Sequence, residues 1–279
     1  MKGQMRIQDK FDLKGRAAVI TGGGGLLGAE FCKALAEAGA SVAVVDINSA
    51  AGSRVSGELL QQGYRAKALT CDIRDASSVA EAVNAILADF GRIDILVNSA
   101  ALDPKFDAAA LETGIAPGSF EDYPLEQWNA ALQVNLTGTF LMTQACVKPM
   151  LEQGGRGSIV NICSTYGLKG PDQRLYVKDG KRVAFKPVYY TVTKAGILGF
   201  TKYLAAYYAG TEIRVNALTP GGVFNDHEES FVRNYSARTI LGRMARVDEM
   251  SGGLLFLASD ASSYMTGANL VVDGGWTAW

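Results

Sequence analysis

Apolar residues along the chain fall into two alternating kinds of run. Short blocks rich in Val, Ile, Leu and Ala lie at Ala17–Thr21, Ser41–Ile47, Ala66–Cys71, Ile95–Ser99, Ser158–Cys163, Arg214–Leu218 and Leu270–Asp273. Between them apolar positions recur every three or four residues, over Leu26–Ala38, Ser49–Gln62, Ser77–Phe90, Leu125–Glu152, Tyr190–Tyr208 and Val247–Ser259. The first pattern suits strands buried on both faces, the second amphipathic helices. Their alternation predicts an α/β fold, a Rossmann-type doubly wound parallel sheet of about seven strands with helices on both faces. No Pro/Ser-rich linker or low-complexity tract divides the chain, so residues 1–279 are expected to form a single domain. Three stretches break the rhythm, 102–123, 165–189 and 223–241. Each follows a strand, so each should overhang the crevice at the carboxyl ends of the sheet.

Composition narrows the class. The chain is 48% hydrophobic and 20% charged, as in a soluble globular protein. Its 27 basic residues nearly balance 28 acidic ones, for a net charge of −1. A nucleic-acid partner is not expected, because the basic footprint is missing. Met1–Lys14 is polar and mixed in charge, unlike a secretory signal, and Lys33 and Glu37 interrupt one of the richest apolar stretches. Neither export nor a membrane span is expected, and a cytoplasmic location follows. Cys32, Cys71, Cys146 and Cys163 are scattered in apolar contexts, without zinc-ligand spacing or a disulfide framework. They read as buried reduced thiols, with no metal site.

Two constellations carry chemistry. Thr21-Gly22-Gly23-Gly24-Gly25-Leu26-Leu27-Gly28 joins the first strand to the first helix. Glycines there permit a tight turn and close backbone approach to a pyrophosphate, and the helix N-terminus offers free N–H groups. Asp46 closes the second strand, 18 residues after Gly28. A carboxylate at that place accepts hydrogen bonds from ribose hydroxyls and repels a 2′-phosphate. No Arg or Lys in the turn or at positions 47 and 48 offsets it, so NAD is the expected cofactor. Asp72, at the end of the third strand, can similarly reach the adenine.

The second constellation opens the helix at Tyr190-Thr191-Val192-Thr193-Lys194. Spacing i, i+4 puts phenol and ammonium on one face, and the cation should lower the tyrosine pKa from about 10. Of 11 tyrosines, only Tyr190 has a lysine four residues on, which marks it as a proton-transfer residue. Ser164 ends the fifth strand and could orient a substrate oxygen, or simply cap the strand end. Asn135 is a polar residue within a long apolar helical pattern. Such a residue caps a kink, bonds a backbone group or holds a water.

With these residues in this order, and with Asp94-Ile95-Leu96-Val97-Asn98, Pro220-Gly221 and Val272-Asp273-Gly274-Gly275, the chain resembles a short-chain dehydrogenase/reductase from about Lys14 to Gly275. The resemblance implies that Tyr190 exchanges a proton with the substrate oxygen, Ser164 orients that oxygen, and Lys194 binds the nicotinamide ribose and tunes Tyr190. It implies that Asn135 anchors a proton-relay water. The cofactor would touch Gly22, Gly25, Leu26, Leu27, Gly28, Asp46, Asp72, Ile73, Asn98, Tyr190, Lys194, Pro220, Gly221 and Val223. It also implies a homodimer or homotetramer packed through the helices holding Asn135 and Tyr190.

The departures from the family pattern bear on the substrate. Leu26 stands where the family has the middle glycine, and Asn98-Ser99-Ala100-Ala101 replaces Asn-Asn-Ala-Gly. Ser164 and Tyr190 are 26 residues apart, about twice the usual separation. The intervening 165–189 carries Lys169, Arg174, Lys178, Lys181, Arg182 and Lys186 against Asp172 and Asp179, a net of +4. That insert could attract an anionic substrate or be an ordinary solvated loop. Asp103, Lys105, Arg174, Arg182 and the lone histidine, His227, are candidate substrate contacts. The loop after Asn98 and the insert together resemble a bacterial subgroup associated with surface-sugar and nonulosonic-acid pathways. The expected activity is NAD-dependent hydride transfer at a secondary alcohol or ketone, on a polar or anionic substrate such as a sugar derivative. Alternatives are a 3-oxoacyl or hydroxysteroid-type enzyme, or a non-catalytic dinucleotide-binding regulator.

Overall fold

Strand side chains alternate between two apolar layers, and that alternation builds the molecule. The computed structural model describes residues 5–103, 119–178 and 180–279, with the side chain of Lys178 also left out. Its strands are β1 (Ala17–Thr21), β2 (Ser41–Asp46), β3 (Ala66–Thr70), β4 (Ile95–Asn98), β5 (Arg156–Ile162), β6 (Val177–Lys178), β7 (Lys181–Arg182), β8 (Glu212–Pro220) and β9 (Asn269–Val272). Seven of them form one parallel sheet in the order β3-β2-β1-β4-β5-β8-β9. The order reverses between β1 and β4, where Thr21 lies opposite Asn98. A crevice for a ligand opens at such a switch point, outside the carboxyl ends of the strands.

The helices are α1 (Leu26–Glu37), α2 (Ser49–Gln61), α3 (Ala76–Phe90), α4 (Leu125–Leu132), α5 (Thr139–Glu152), α6 (Val188–Tyr207), α7 (Glu229–Ser236) and α8 (Ser251–Ala258). Ala18, Ile20, Val42, Val44, Val97 and Val160 face one way, against Phe31 and Leu35 of α1 and Leu254 and Leu257 of α8. Val19, Ala43, Val45, Leu96 and Ile159 face the other, against Val83 and Ile86 of α3 and Met142, Cys146 and Met150 of α5. Side-chain oxygens of Asn48 and Asp75 cap α2 and α3, and Gly91 ends α3 in the left-handed conformation at φ 76°.

The predicted doubly wound sheet is present, and all seven predicted strands match the sheet to within two residues at each end. One predicted helix is broken. The pattern over 125–152 resolves into α4, a π-helical turn at Gln133–Gly138, and α5. Two elements lay hidden in stretches that break the rhythm. The β6–β7 hairpin pairs only Val177 with Arg182 and Lys178 with Lys181, and α7 buries only Tyr235. Neither is long enough to show a period. All four cysteines are buried and free, with burial pushing the Cys146 thiol up to about 12.

The turn between β1 and α1 leaves no room for a side chain at Gly28, whose added Cβ would lie 2.0 Å from the Gly22 carbonyl oxygen. Gly28→Ala should therefore destabilise the protein by about 1–3 kcal/mol, as overpacking does. Urea unfolding measures this, and a wild-type midpoint would mean that α1 can slide away at no cost.

Candidate active site

The glycine turn is tied to both neighbouring strands. Thr21 Oγ1 accepts hydrogen bonds from the Ser99 and Ala100 amides, each at 3.1 Å. Gly22 takes φ 64°, and the Gly25 amide bonds its carbonyl at 3.0 Å before α1 begins. Leu26 opens the helix 44% exposed, while Leu27 packs into the core beneath. The first-turn amides of α1 have no partners inside the helix. Asp46 Oδ2 accepts from the Gly24 amide and Oδ1 from the Asn48 amide, both at 2.9 Å. Its carboxylate is thus fixed on the rim of the turn. A helix N-terminus that suits a diphosphate and a carboxylate that suits a ribose diol fit a dinucleotide.

The other cofactor candidates have structural partners of their own. Asp72 is chelated by Arg74, at 2.6–3.1 Å, which holds its carboxyl below the usual range. Ile73 is buried against Gly138 in the π turn. Asn98 Nδ2 donates to Thr143 Oγ1 at 2.9 Å and Asn161 Oδ1 at 2.8 Å, which links the sheet to α5. Its buried Oδ1 has no hydrogen-bond partner among the described residues. Pro220 ends β8, Gly221 donates to the Val272 carbonyl at 2.9 Å, and Val223 bridges Ala245.

Ser164 and Tyr190 meet although 26 residues separate them. The chain turns immediately after Ser164 in a 3-10 turn, Thr165–Gly167, and that turn packs on α6. A Cβ at Gly167 would fall 2.8 Å from the Lys194 backbone, so only glycine allows this approach. Ser164 lies close enough to Tyr190 to lower its phenol pKa, and its hydroxyl oxygen accepts the Tyr166 amide at 3.2 Å. Ser164 thus caps the turn that follows β5, on the side of the molecule where Tyr190 lies. Lys194 is buried, and its Nζ donates to the Ile162 carbonyl at 2.8 Å and lies 5.7 Å from the Tyr190 ring centroid.

The electrostatics differ from the sequence expectation. Lys194 was expected to pull the Tyr190 phenol down. Instead burial first, and the Asp103 carboxylate second, push it well above the ordinary tyrosine value, against a lowering contribution from Ser164. Burial also pulls the Lys194 ammonium down, and its proton is directed at a backbone carbonyl. The phenol is therefore protonated across neutral pH.

Asn135 lies in the π turn and is 2% exposed. Its Oδ1 accepts from the Leu102 amide at 2.7 Å, and its Nδ2 donates to the Leu102 carbonyl at 3.3 Å and to Thr193 Oγ1 at 3.1 Å. Of the three roles open in the sequence, the backbone bond is the one these contacts display. π turns recur at functional sites, and this one aims a carboxamide at the residue before Asp103.

The basic insert is mostly turned upon itself. Arg174 pairs with Asp172 at 2.8 Å, and Arg182 donates to the Gln173 carbonyl at 2.7 Å and lies over Phe185. Lys169 donates to the Trp279 carbonyl at 2.6 Å. Asp172 also binds Arg238 at 2.6 Å, which ties the insert to the segment around α7. His227 accepts from the Asn225 amide at 3.1 Å and stacks on Phe231. Lys105 lies outside the described residues. Lys186 alone of the insert's described bases reaches the phenol, with Nζ 4.0 Å from the Tyr190 ring centroid. It forms an ion pair with Asp103. Sequence reasoning counted Lys186 as one charge among six and missed its place. The aromatic wall was missed too: Tyr166 meets Tyr190 and Trp276 edge-on, and Trp276 stacks on Tyr235 at 4.3 Å. These side chains come from four separate segments, so no local spacing signals them.

Comparison with known proteins agrees with this geometry. The family described as Enoyl-(Acyl carrier protein) reductase matches residues 25–277. D-Threitol dehydrogenase of Mycolicibacterium smegmatis is 36% identical, over 98% of this chain and 97% of its own. The 3-alpha-(or 20-beta)-hydroxysteroid dehydrogenase of Mycobacterium tuberculosis is 37% identical, over 95% of this chain and 91% of its own. Among solved structures, a gluconate 5-dehydrogenase from Burkholderia cenocepacia, in complex with NADP and tartrate, superposes with TM-score 0.84 at 31% identity, covering 98% of this chain and 100% of that one.

Removing the Asn135 side chain orphans both polar groups of the Leu102 peptide unless water replaces it. Asn135→Ala should cost about 1–3 kcal/mol in urea unfolding. A loss below a few tenths of that would mean solvent takes over both bonds.

Proposed function

We propose a function for this chain from one premise: it belongs to the short-chain dehydrogenase/reductase family. It is an oxidoreductase of the alcohol/ketone class. In the finer reading it uses NAD and acts on a secondary alcohol or ketone of a polar, hydroxylated substrate such as a polyol or sugar derivative. The observation that carries this is the convergence of Ser164, Tyr190 and Lys194 at the carboxyl end of β5, beside the switch point. A binding protein with no chemistry would have no use for a partly buried phenol and hydroxyl held beside a buried ammonium.

When bound, the nicotinamide supplies or accepts the hydride. The amides around Gly22, Gly25, Leu26, Leu27 and Gly28 would hold its diphosphate, Asp46 its adenosine ribose and Lys194 its nicotinamide ribose. Ser164 donates to the substrate oxygen and holds it against Tyr190 Oη. In ketone reduction the phenol gives that oxygen a proton, and in alcohol oxidation the phenolate takes one. Because the phenol is raised, the form standing ready at neutral pH is the acid. Oxidation should accordingly rise with pH. Asp46 and the lack of a cation at 47 and 48 support NAD, although NADP accompanies one similar structure.

Threitol in the name of one relative and tartrate in the complex of another support small polyoxygenated substrates. A second reading, a hydroxysteroid or other alicyclic alcohol, draws on the aromatic wall of Tyr166, Tyr235 and Trp276 and on the hydroxysteroid relative. A panel of polyols, sugar acids and hydroxysteroids, each assayed with NAD and NADP, separates these. We expect kcat/KM to be highest for a polyol or sugar acid with NAD, and Tyr190→Phe to lower it by about 10²–10⁴-fold. Equal background turnover of wild type and Tyr190→Phe across the panel would sink the enzyme reading.

A homo-oligomer through the Asn135 and Tyr190 helices is supported by a hollow of about 300 Å³ lined by Leu136, Thr137, Phe140, Ile197 and Phe200. Phe140 is 46% exposed there, an apolar surface of the kind that marks interfaces. Phe140→Asp should shift sedimentation toward the monomer. An unchanged sedimentation coefficient would place the interface elsewhere.

A further inference from the structure

Two charged residues beside Tyr190, Lys186 and Asp103, are held in matching ways. The Lys186 peptide is gripped at both polar groups by one side chain: its amide donates to Gln173 Oε1 at 2.8 Å, and its carbonyl accepts from Gln173 Nε2 at 3.2 Å. The peptide of Leu102, which precedes Asp103, is gripped in the same way by Asn135. The two gripped segments deliver opposite charges to one place. Lys186 Nζ lies over the Tyr190 ring, 4.0 Å from its centroid and 6.0 Å from that of Tyr166, and pairs with Asp103. The Lys186 side chain is only 13% exposed, so solvent screens it weakly, whereas Asp103 is 49% exposed.

An ion pair with one half-exposed partner adds little to stability, and two carboxamide clamps are not needed to make one. Their effect is to fix a cation and an anion at set distances from a proton-transfer residue. Building on the proposed oxidoreductase reading, we propose that Lys186 and Asp103 are opposed positioning residues for Tyr190. The carboxylate favours the protonated phenol and the ammonium favours the phenolate. Each damps the other while the pair is closed. A substrate hydroxyl or carboxylate that engages either partner would release the other, coupling substrate binding to proton transfer.

The remaining charged or titratable groups around the phenol come from every side. Lys194 lies on its own helix, Cys163 at the end of β5, Tyr166 in the following turn, Tyr176 in the insert and Tyr235 on α7. Among these neighbours the thiol and phenols are pushed up by burial and stay neutral near pH 7. The fixed charges acting on Tyr190 are therefore Lys194, Lys186 and Asp103.

The test is a titration of the full chain, without cofactor, labelled with ζ-13C tyrosine, with Tyr190→Phe identifying the resonance. Asp103→Asn leaves the ammonium unopposed and should lower the Tyr190 midpoint by about one pH unit. Lys186→Met leaves the carboxylate unopposed and should raise it by a similar amount, or beyond the alkaline end of the titration. Lys186→Arg keeps the cation and should stay near wild type. Loosened packing would move both variants the same way, so opposite signs distinguish electrostatics from damage. Shifts of one sign, or none, overturn the inference. If Lys186→Met does not fold, Asp103→Asn and Lys186→Arg decide it, through the titration and through the pH profile of alcohol oxidation. Opposite shifts in a protein without turnover would fail the functional reading alone. Turnover with an unmoved phenol would fail the pair alone.

Discussion

The backbone of the Thr165–Gly167 turn rests against the backbone of α6 at Lys194, and the site depends on that contact. A single added carbon at position 167 would push the two apart. Without the contact, Ser164 and Tyr190 would be the two ends of a long insert, with nothing to bring them together. With it, the turn after Ser164 is seated on the helix that carries Tyr190, and the β6–β7 hairpin loops out between the two. The extra length of the insert therefore need not disturb the approach of Ser164 to Tyr190. Loop-closure entropy grows slowly with length, so one well-placed backbone contact can offset it.

The same arrangement creates an electrostatic tension. Withdrawing Tyr190 and Lys194 from much of the solvent at the end of β5 disfavours the charged form of both, so the phenol rises and the ammonium falls. A lysine four residues along does not by itself activate a tyrosine. Its effect depends on where its proton points, and here it points at the Ile162 carbonyl. The nearest other cation over the ring is Lys186, delivered by the insert and neutralised by Asp103. Beside the phenol there thus stand Lys186, four residues before it in the chain, and Asp103, brought in from a distant segment.

How much was legible follows from how each feature is encoded. The seven sheet strands could be read because each is buried on both faces and so is apolar throughout. The glycine turn, Asp46, Ser164, Tyr190 and Lys194 could be read because each sits at a fixed offset within one element or at its end. The break at Gln133–Gly138 could not be located, since a π turn inserts a residue without altering apolar content. Tyr166, Tyr235 and Trp276 could not be assigned, because their neighbours come from other segments, and Lys186, four residues before Tyr190, precedes α6, so no helical period places it over the ring. Arg174 and Arg182 carried the right charge for an anion, yet local acceptors at Asp172 and Gln173 satisfy them.

The sequence by itself determined the periodicities, and with them a doubly wound sheet and the candidate residues at the ends of its strands. Those are local properties, set by covalent order and burial. Only the tertiary structure decided which charges face the phenol, whether that phenol is raised or lowered, and which of six basic residues in the insert belongs to the site. A pKa depends on desolvation and on distances through space, and neither is a function of separation along the chain.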